Sequence, residues 1–184
     1  MNIMKPHETI LQEGNITLRP LADQHLPFLY KWNADPEMLF WSEGDDVQEN
    51  PPETVNDIYG GVSQNAFCFL VEADGIPVGE CWLQKMNIKE IAAKHPGQDV
   101  RRIDMMIGEK SYWNRGIGTI IVRLLVDFAF VNQQANIVYG LISDYNIRSR
   151  RVFEKNGFKI SWRGTTENTS PKANEDYHMM LERK

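Results

Sequence analysis

The segment SYWNRGIGTII, residues 111–121, constrains the fold of this chain more than any other stretch. Alternating apolar residues at Ile103, Met105 and Ile107 precede it, as in a β-strand. An apolar repeat at helical spacing follows it, with the members Ile117, Ile120, Ile121, Leu124, Leu125 and Phe128. The pattern predicts a strand, a glycine-containing loop and an amphipathic helix in direct succession.

Apolar patterns in the rest of the chain predict an α/β fold. Asp74 and Gly75 separate two apolar runs and predict a tight β-hairpin. Asn146 and Gly157 bracket a second helical segment as the expected N-cap and C′ residues. Further strands are predicted in NITLRPL, NIVYGLI, KISWRGTT and DYHMMLE, further helices in ADQHLPFLYKWNADP and NPPETVNDIYGGV, and a loop in NIKEIAAKHPGQDV. This order of strands and helices indicates a mixed sheet.

Length and composition indicate one domain. A chain of 184 residues, 42% of them hydrophobic, can bury a full core without disulfides. We expect a single domain over residues 1–184, with residues 1–14 forming a loosely ordered N-terminal extension. Cys68 and Cys81 lie in apolar, strand-like surroundings and are expected to be reduced core residues.

The net charge and hydropathy of the chain limit the classes of partner that it is expected to bind. The net charge of −5 argues against a nucleic-acid partner and favours a cationic small molecule. The chain lacks the run of roughly 18 apolar residues that a membrane-spanning helix needs. His95 and His178 have no metal-ligand spacing, so no metal is expected. We therefore expect a cytoplasmic protein with no membrane or nucleic-acid partner.

The glycine-containing loop can bind an anion at the start of the helix. Helix N-termini present unpaired N–H groups and the positive end of the helix dipole. Glycine at 116 and 118 leaves the backbone open to phosphate oxygens, and Asn114, Arg115 and Thr119 add donors or charge. The same glycines could also simply make a tight turn. A Walker loop and a dinucleotide-binding loop are both excluded, because Thr119 and Ile121 stand where those motifs need other residues.

Two motifs together resemble the GNAT superfamily of N-acetyltransferases. W-N-R-G-I-G-T at residues 113–119 is similar to that family's Q/R-x-x-G-x-G/A loop, with Trp113 in place of Gln or Arg. N-I-R-S-R-R-V-F-E-K-N-G-F at residues 146–158 is similar to its N-x-R-A-x-x-x-Y-E-K-x-G-F helix. The resemblance spans roughly residues 15 to 182. It implies a mixed, mostly antiparallel central sheet flanked by helices, with two central strands splayed apart.

The resemblance also implies acetyl-CoA as cosubstrate. Residues matching the family's coenzyme-binding positions are Met106, Ile107, Asn114, Arg115, Gly116, Ile117, Gly118, Thr119, Asn146 and Phe153. In the family a bulge frees backbone amides after the acidic strand position, and Met106 and Ile107 match that place. Phe153 stands where the family often has a Tyr that protonates the leaving thiolate, and phenylalanine has no donor. Tyr139 and Tyr145 lie nearby in sequence as possible replacements.

Aminoglycoside 6′-N-acetyltransferases give the nearest resemblance within the family. R-I-D-M-M-I-G-E-K-S-Y-W and the aromatic-then-acidic stretch F-W-S-E-G-D both look like theirs. This implies that Trp41, Glu43, Asp104 and Asp144 contact the substrate. Those enzymes usually carry an acidic residue five positions before the motif Asn, where this chain has Leu141. Asp144 could compensate for that departure from a neighbouring position.

Asp104 is the candidate catalytic residue, because it interrupts an apolar strand. Alternation places it on one face with Arg102 and Met106. A carboxylate there could attract an ammonium group and accept its proton, directly or through water. The alternative is a structural ion pair with Arg102.

Three functions remain open at the level of the sequence. The first is acetyl transfer from acetyl-CoA to a primary amine of a cationic small molecule, by direct attack. The second is acetylation of a protein N-terminus or lysine, and the third is a catalytically silent acyl-CoA-binding domain. We expect either a monomer or a homodimer.

Overall fold

The computed structural model describes residues 3–44, 49–166 and 169–184, excluding the side chains of residues 42 and 43. The strands are β1 (Leu11–Glu13), β2 (Ile16–Pro20), β3 (Ala66–Ala73), β4 (Ile76–Lys85), β5 (Val100–Met106), β6 (Ile137–Ser143), β7 (Lys159–Gly164) and β8 (Asp176–Glu182). The α-helices are α1 (Leu26–Asn33), α2 (Pro36–Glu43), α3 (Pro52–Ser63), α4 (Lys89–Ala92), α5 (Ile117–Asp127) and α6 (Ile147–Lys155). None of the helices in these ranges is long and apolar enough to cross a membrane.

The described strands form one mixed sheet in the order β1-β2-β3-β4-β5-β6-β8-β7. All neighbouring strands are antiparallel except β5 and β6, which are parallel. The β3–β4 hairpin turns at Asp74 and Gly75, both with positive φ, as the sequence predicted. The predicted GNAT sheet, mixed and mostly antiparallel, is confirmed.

Two apolar layers cover opposite faces of the sheet. Helix α5 packs on one face, where Ile121 and Leu125 of the predicted stripe are fully buried, together with Val122, which lay outside the prediction. Helices α1 and α3 cover the other face, around Leu29, Trp32 and Val55. Because side chains alternate along a strand, Asp104 lies on the α1–α3 face and Ile103 on the α5 face.

The N-terminal segment differs from the loosely ordered extension that the sequence suggested. Asp23 accepts hydrogen bonds from the backbone N–H groups of Ile3 and Met4, at 2.9 and 3.0 Å. Met4 is buried in the core beside α1 and α3, and β1 pairs with β2. Residues 3–14 are therefore attached to the domain by side-chain contacts that periodicity in so short a segment does not reveal.

The sequence patterns did not predict two of the helices. Helix α2 begins with Asp35 as N-cap, whose side chain accepts from the Glu37 N–H, and continues with Pro36. Its apolar residues have no single stripe, so periodicity did not indicate a helix. Helix α4 occupies part of the segment predicted as a loop, and it is one turn that buries Ile91.

Candidate active site

The candidate active site is a cleft that opens where β5 and β6 diverge. Residues Val100–Arg102 of β5 pair with Ile137–Tyr139 of β6. Beyond these residues the two strands are not paired with each other. The cleft has a volume of about 800 Å³. Of the predicted site residues it is lined by Trp41, Asp104, Met106, Ile107, Asn114, Arg115, Gly116, Ile117, Gly118, Thr119, Asn146 and Phe153.

Two predicted substrate residues are not shown in the cleft. The Glu43 side chain lies outside the described residues, as do residues 45–48 of the acidic segment. Asp144 does not line the cleft. Its carboxylate accepts from the Asn174 Nδ2 at 2.9 Å and holds the segment before β8, so it does not replace the missing acid at Leu141.

The start of α5 forms one end of the cleft. The N–H groups of Gly116, Ile117 and Gly118 have no hydrogen-bond acceptor among the residues that the structure describes. Gly116 has a φ of 80°, and an added Cβ would meet nothing within 4 Å. Three unpaired amides beside open space, at the positive end of a helix, fit an oxygen-rich anion such as a pyrophosphate.

Gly118 has a different role from the one expected. A Cβ there would lie 3.3 Å from the Val152 side chain and 3.4 Å from Met105. The missing side chain therefore lets α5 approach α6 and β5 closely, rather than clearing space for a ligand. Only tertiary packing distinguishes this role from that of Gly116.

Arg148 brings a positive charge to the same end of the cleft. Its guanidinium lies 4.0 Å from the centre of the Trp41 ring and 4.4 Å from that of Trp113. Burial lowers the pKa of Arg148, although guanidinium remains charged at neutral pH. Among the described residues no carboxylate lies within ion-pair distance of Arg148, although the more distant charge of Glu37 opposes the effect of burial on its pKa. A cation held between two indoles without a direct carboxylate partner is suited to bind a phosphate.

Asn146 and Phe153 line the cleft through structural contacts. The Asn146 Oδ1 accepts from the Ser149 N–H at 3.1 Å as the N-cap of α6, and its Nδ2 donates to the Trp41 carbonyl at 3.1 Å. Phe153 is 2% exposed and packs on Gly140, where a Cβ would lie 2.4 Å from the ring. Phe153 has no donor, and an amide such as Asn146 is not an acid, so neither residue can protonate a leaving thiolate.

Asp104 stands on β5 with a fixed orientation. Its Oδ2 accepts from the Trp82 Nε1 at 2.9 Å and from the Arg102 Nε at 2.8 Å. An ion pair with Arg102, the alternative to a catalytic role, is therefore present. Its Oδ1 has no partner among the described residues, and the side chain remains 31% exposed at the cleft. One oxygen is thus anchored while the other can accept from a ligand.

The chain irregularity after Met106 opens the end of β5. Glu80 lies opposite Met106, yet the Glu109 N–H bonds to the Val78 carbonyl at 3.0 Å. Uninterrupted pairing would put Gly108 opposite Val78, so the segment after β5 contains one extra residue, as in a β-bulge. The Ile107 N–H has no acceptor in the described ranges, and its carbonyl accepts from the Trp113 Nε1 at 2.7 Å.

Sequence reasoning missed a polar group on the α1–α3 side of the cleft. Glu80, Tyr59 and Asn33 all line the cleft and are 3, 2 and 4% exposed. Burial, and then the charge of Asp104, hold the pKa of Glu80 well above its usual range. Glu80 interrupts the apolar strand IPVGECWLQK much as Asp104 interrupts β5, and this signal could have revealed it.

Comparison with known proteins identifies the class of this enzyme. The family described as acetyltransferase (GNAT) domain matches residues 15–159. The chain therefore belongs to the GNAT acetyltransferases and is an acetyl-CoA-dependent N-acetyltransferase.

Relatives and structural neighbours of this chain are named for aminoglycosides and for spermidine. The chain is 23% identical to aminoglycoside N(6′)-acetyltransferase type 1 of Klebsiella pneumoniae over 156 residues, 83% of this chain and 78% of the relative. The structure of aminoglycoside acetyltransferase AAC(6′)-Ib with coenzyme A aligns at a TM-score of 0.72 and 22% identity, covering 91% of this chain and 95% of that one. Spermidine N-acetyltransferase from Vibrio cholerae, with CoA and spermine, aligns at a TM-score of 0.75 and 15% identity, covering 92% and 96%.

Proposed function

We propose that this enzyme transfers the acetyl group of acetyl-CoA to a primary amine of a cationic small molecule, by direct attack of the amine on the thioester. The observation that carries the proposal is the presence of Asp104 and the unpaired amides of residues 116–118 in one cleft. An anion-binding end and a carboxylate are what a coenzyme phosphate and a cationic acceptor require. In this proposal residues 1–184 act as one cytoplasmic catalytic domain.

The coenzyme would be held by this chain at two places. The amides of Gly116, Ile117 and Gly118, together with Arg148, would bind its phosphates. The unpaired N–H of Ile107 beyond the β5 irregularity would donate to the acetyl oxygen and stabilise the charge that develops there. The thioester itself supplies the activated acyl group.

Asp104 would bind and deprotonate the acceptor. An ammonium group has no lone pair, so it must lose a proton before its nitrogen attacks the carbonyl carbon. The free Oδ1 of Asp104 would hold the ammonium and take that proton, directly or through water. The new C–N bond replaces the C–S bond, the attached nitrogen loses its second proton to water, and the CoA thiolate leaves. Phe153 offers no donor, so in this scheme the thiolate takes its proton from water.

The relatives support cationic small molecules over protein substrates. Aminoglycosides and spermidine appear in the names of the relatives, and both carry several amino groups. The carboxyl groups of Asp104 and Glu80 in the cleft fit such polycations. Within this class we propose aminoglycosides as the first candidates and polyamines as the second.

Continuous measurement of CoA thiol release tests the proposal. The purified protein is given acetyl-CoA with kanamycin, ribostamycin, spermidine or a short lysine-containing peptide. We expect release with at least one cationic small molecule. Asp104→Asn should keep acetyl-CoA affinity and lose at least about tenfold in turnover. Asp57→Asn, at an exposed position of α3, should match the parent protein. Acetyl-CoA binding without thiol release from any amine would instead indicate a silent binder.

A further inference from the structure

Glu80 has an unusual environment for a carboxyl group. It is 3% exposed, lines the cleft, and its Oε2 has no hydrogen-bond partner among the described residues. Buried polar atoms almost always have a partner, because an unpaired one costs about 1–3 kcal/mol. An unpartnered carboxyl oxygen in a residue that lines a ligand cleft is suited to accept a hydrogen bond from the ligand.

No cation of the described chain neutralises Glu80. Its neighbours are Tyr59 from α3, Asp104 from β5 and the Cys68 thiol from β3. Arg102, the nearby cation on β5, donates to Asp104 and to the Asn87 side chain instead. The Tyr59 hydroxyl lowers the pKa of Glu80 by hydrogen bonding, but burial and Asp104 raise it more. Without a ligand this carboxyl is therefore held toward its neutral form.

A cationic ligand would shift the Glu80 carboxyl from its neutral form toward its charged form. An ammonium within hydrogen-bond distance of Oε2 would favour the carboxylate, and the carboxyl proton would leave to solvent. The resulting pair would be hydrogen-bonded on one side by Tyr59 and on the other by the ligand. Buried charges are tolerated when they are paired and hydrogen-bonded in this way.

We propose that Glu80 forms a second amine subsite, which binds a second ammonium group of the acceptor while its reacting amine lies at Asp104. This inference rests on the proposed function and specifies its substrate class as acceptors with at least two amino groups. Trp82 lies opposite Asp104 and Glu80 opposite Met106, so the two carboxyl residues are diagonal neighbours on one face. Such positions are about 7–8 Å apart, which suits amines separated by about three or four carbon atoms.

Matched amines test the subsite. Initial rates with 1,4-diaminobutane, 1,3-diaminopropane and butylamine are compared at saturating acetyl-CoA, in the parent protein and in Glu80→Gln. We expect the parent to prefer a diamine over butylamine by about tenfold or more in kcat/KM, and Glu80→Gln to lose most of that preference. Glutamine resembles the neutral carboxyl in size, so the fold should persist, and melting curves check this. Glu53→Gln, at an exposed position of α3, is the control and should keep the preference.

Proton release gives a readout that a structural role would not produce. Calorimetric titration of the CoA-bound protein with 1,4-diaminobutane is repeated in two buffers of different ionisation enthalpy. The parent should release up to one proton per diamine bound, and Glu80→Gln should release less. Equal rates with diamines and butylamine, or a preference that Glu80→Gln leaves intact, would overturn the subsite. Absence of thiol release with every amine would instead contradict the proposed function itself.

Discussion

The Trp82 indole Nε1 donates a 2.9 Å hydrogen bond to the Asp104 carboxylate. The two residues lie directly opposite each other on β4 and β5, so the sheet itself sets their separation. Arg102 donates to the same Oδ2, and both donors therefore orient the other oxygen toward the cleft. The side chain most suited to bind the acceptor is positioned by its strand neighbours and not by a loop.

Replacing Trp82 with phenylalanine should lower turnover without weakening coenzyme binding. The change removes the Nε1 donor but keeps an aromatic ring, so Asp104 loses one of its two anchoring bonds. A hydrogen bond to a charged group contributes a free energy of about 1.5–3 kcal/mol. If this bond stabilises the reactive arrangement, its loss should lower kcat by at least about tenfold. Steady-state kinetics with a cationic amine measure this. Trp162→Phe, on β7, serves as control, and an unchanged kcat for Trp82→Phe would contradict the anchoring role.

Replacing Arg148 with methionine should raise the KM for acetyl-CoA by about tenfold and change kcat little. Methionine keeps an apolar stem between Trp41 and Trp113 but removes the charge proposed to bind a phosphate. The dependence of KM on salt should also weaken, because one fewer charge is involved. Arg150→Met on the same helix is the control, since Arg150 pairs with Glu154 and does not line the cleft. Equal KM values in the two variants would argue against this role.

Gly79→Ala should destabilise the fold and reduce activity. A Cβ at this position would lie 2.2 Å from the Met106 carbonyl oxygen and 3.0 Å from the Ile107 Cα. The end of β5 must then move, at a cost of roughly 1–3 kcal/mol, and the Ile107 N–H moves with it. Thermal melting and kcat measure both effects. Gly61→Ala, in α3 with no atom within 4 Å of the added Cβ, should be neutral or stabilising by up to about 1 kcal/mol.

Glu80→Gln should stabilise the protein progressively as pH rises. Burial raises the folded-state pKa of Glu80, so the folded state holds a proton that the unfolded chain has lost above about pH 4.3. The parent therefore loses stability as pH increases from there toward the raised pKa, whereas the glutamine variant does not. The gap between the two melting temperatures should widen from pH 5 to pH 8. About 1 kcal/mol corresponds to roughly 2–4 °C in a protein of this size. A gap that stays constant with pH would show that Glu80 is ionised in the fold.

Both cysteines should be unreactive in the folded protein. Cys68 and Cys81 are buried free thiols, and burial is the main cause that raises the pKa of Cys68 to about 12. The thiolate is the reactive form, so a thiol reagent should modify neither residue until the protein is denatured. Absorbance titration with and without denaturant checks this. If neither protein thiol reacts, the signal in the thiol-release assay comes from CoA alone.

Local patterns in the sequence were sufficient for most of the fold. The hairpin at Asp74-Gly75, the α5 stripe and the Asn146 cap were all predicted, because φ preferences, apolar spacing and capping depend on residues close together in the chain. Pro27 falls in the first turn of α1, where its missing N–H removes no helical bond. Strand β1 was missed because three residues are too few to show a period, and α2 because its apolar residues form no single stripe.

The site itself depends on contacts that only the folded sheet creates. The sequence indicated Asp104 and the Gly116 loop, since a carboxylate in an apolar strand and a glycine before a helix are visible locally. Strand register brought Trp82 and Glu80 beside Asp104, and packing placed Arg148 between two indoles. Packing also showed that the missing side chain of Gly118 lets α5 approach α6 and β5 closely. Register and packing join residues far apart in the chain, and the tertiary structure alone therefore decided which side chains share the cleft.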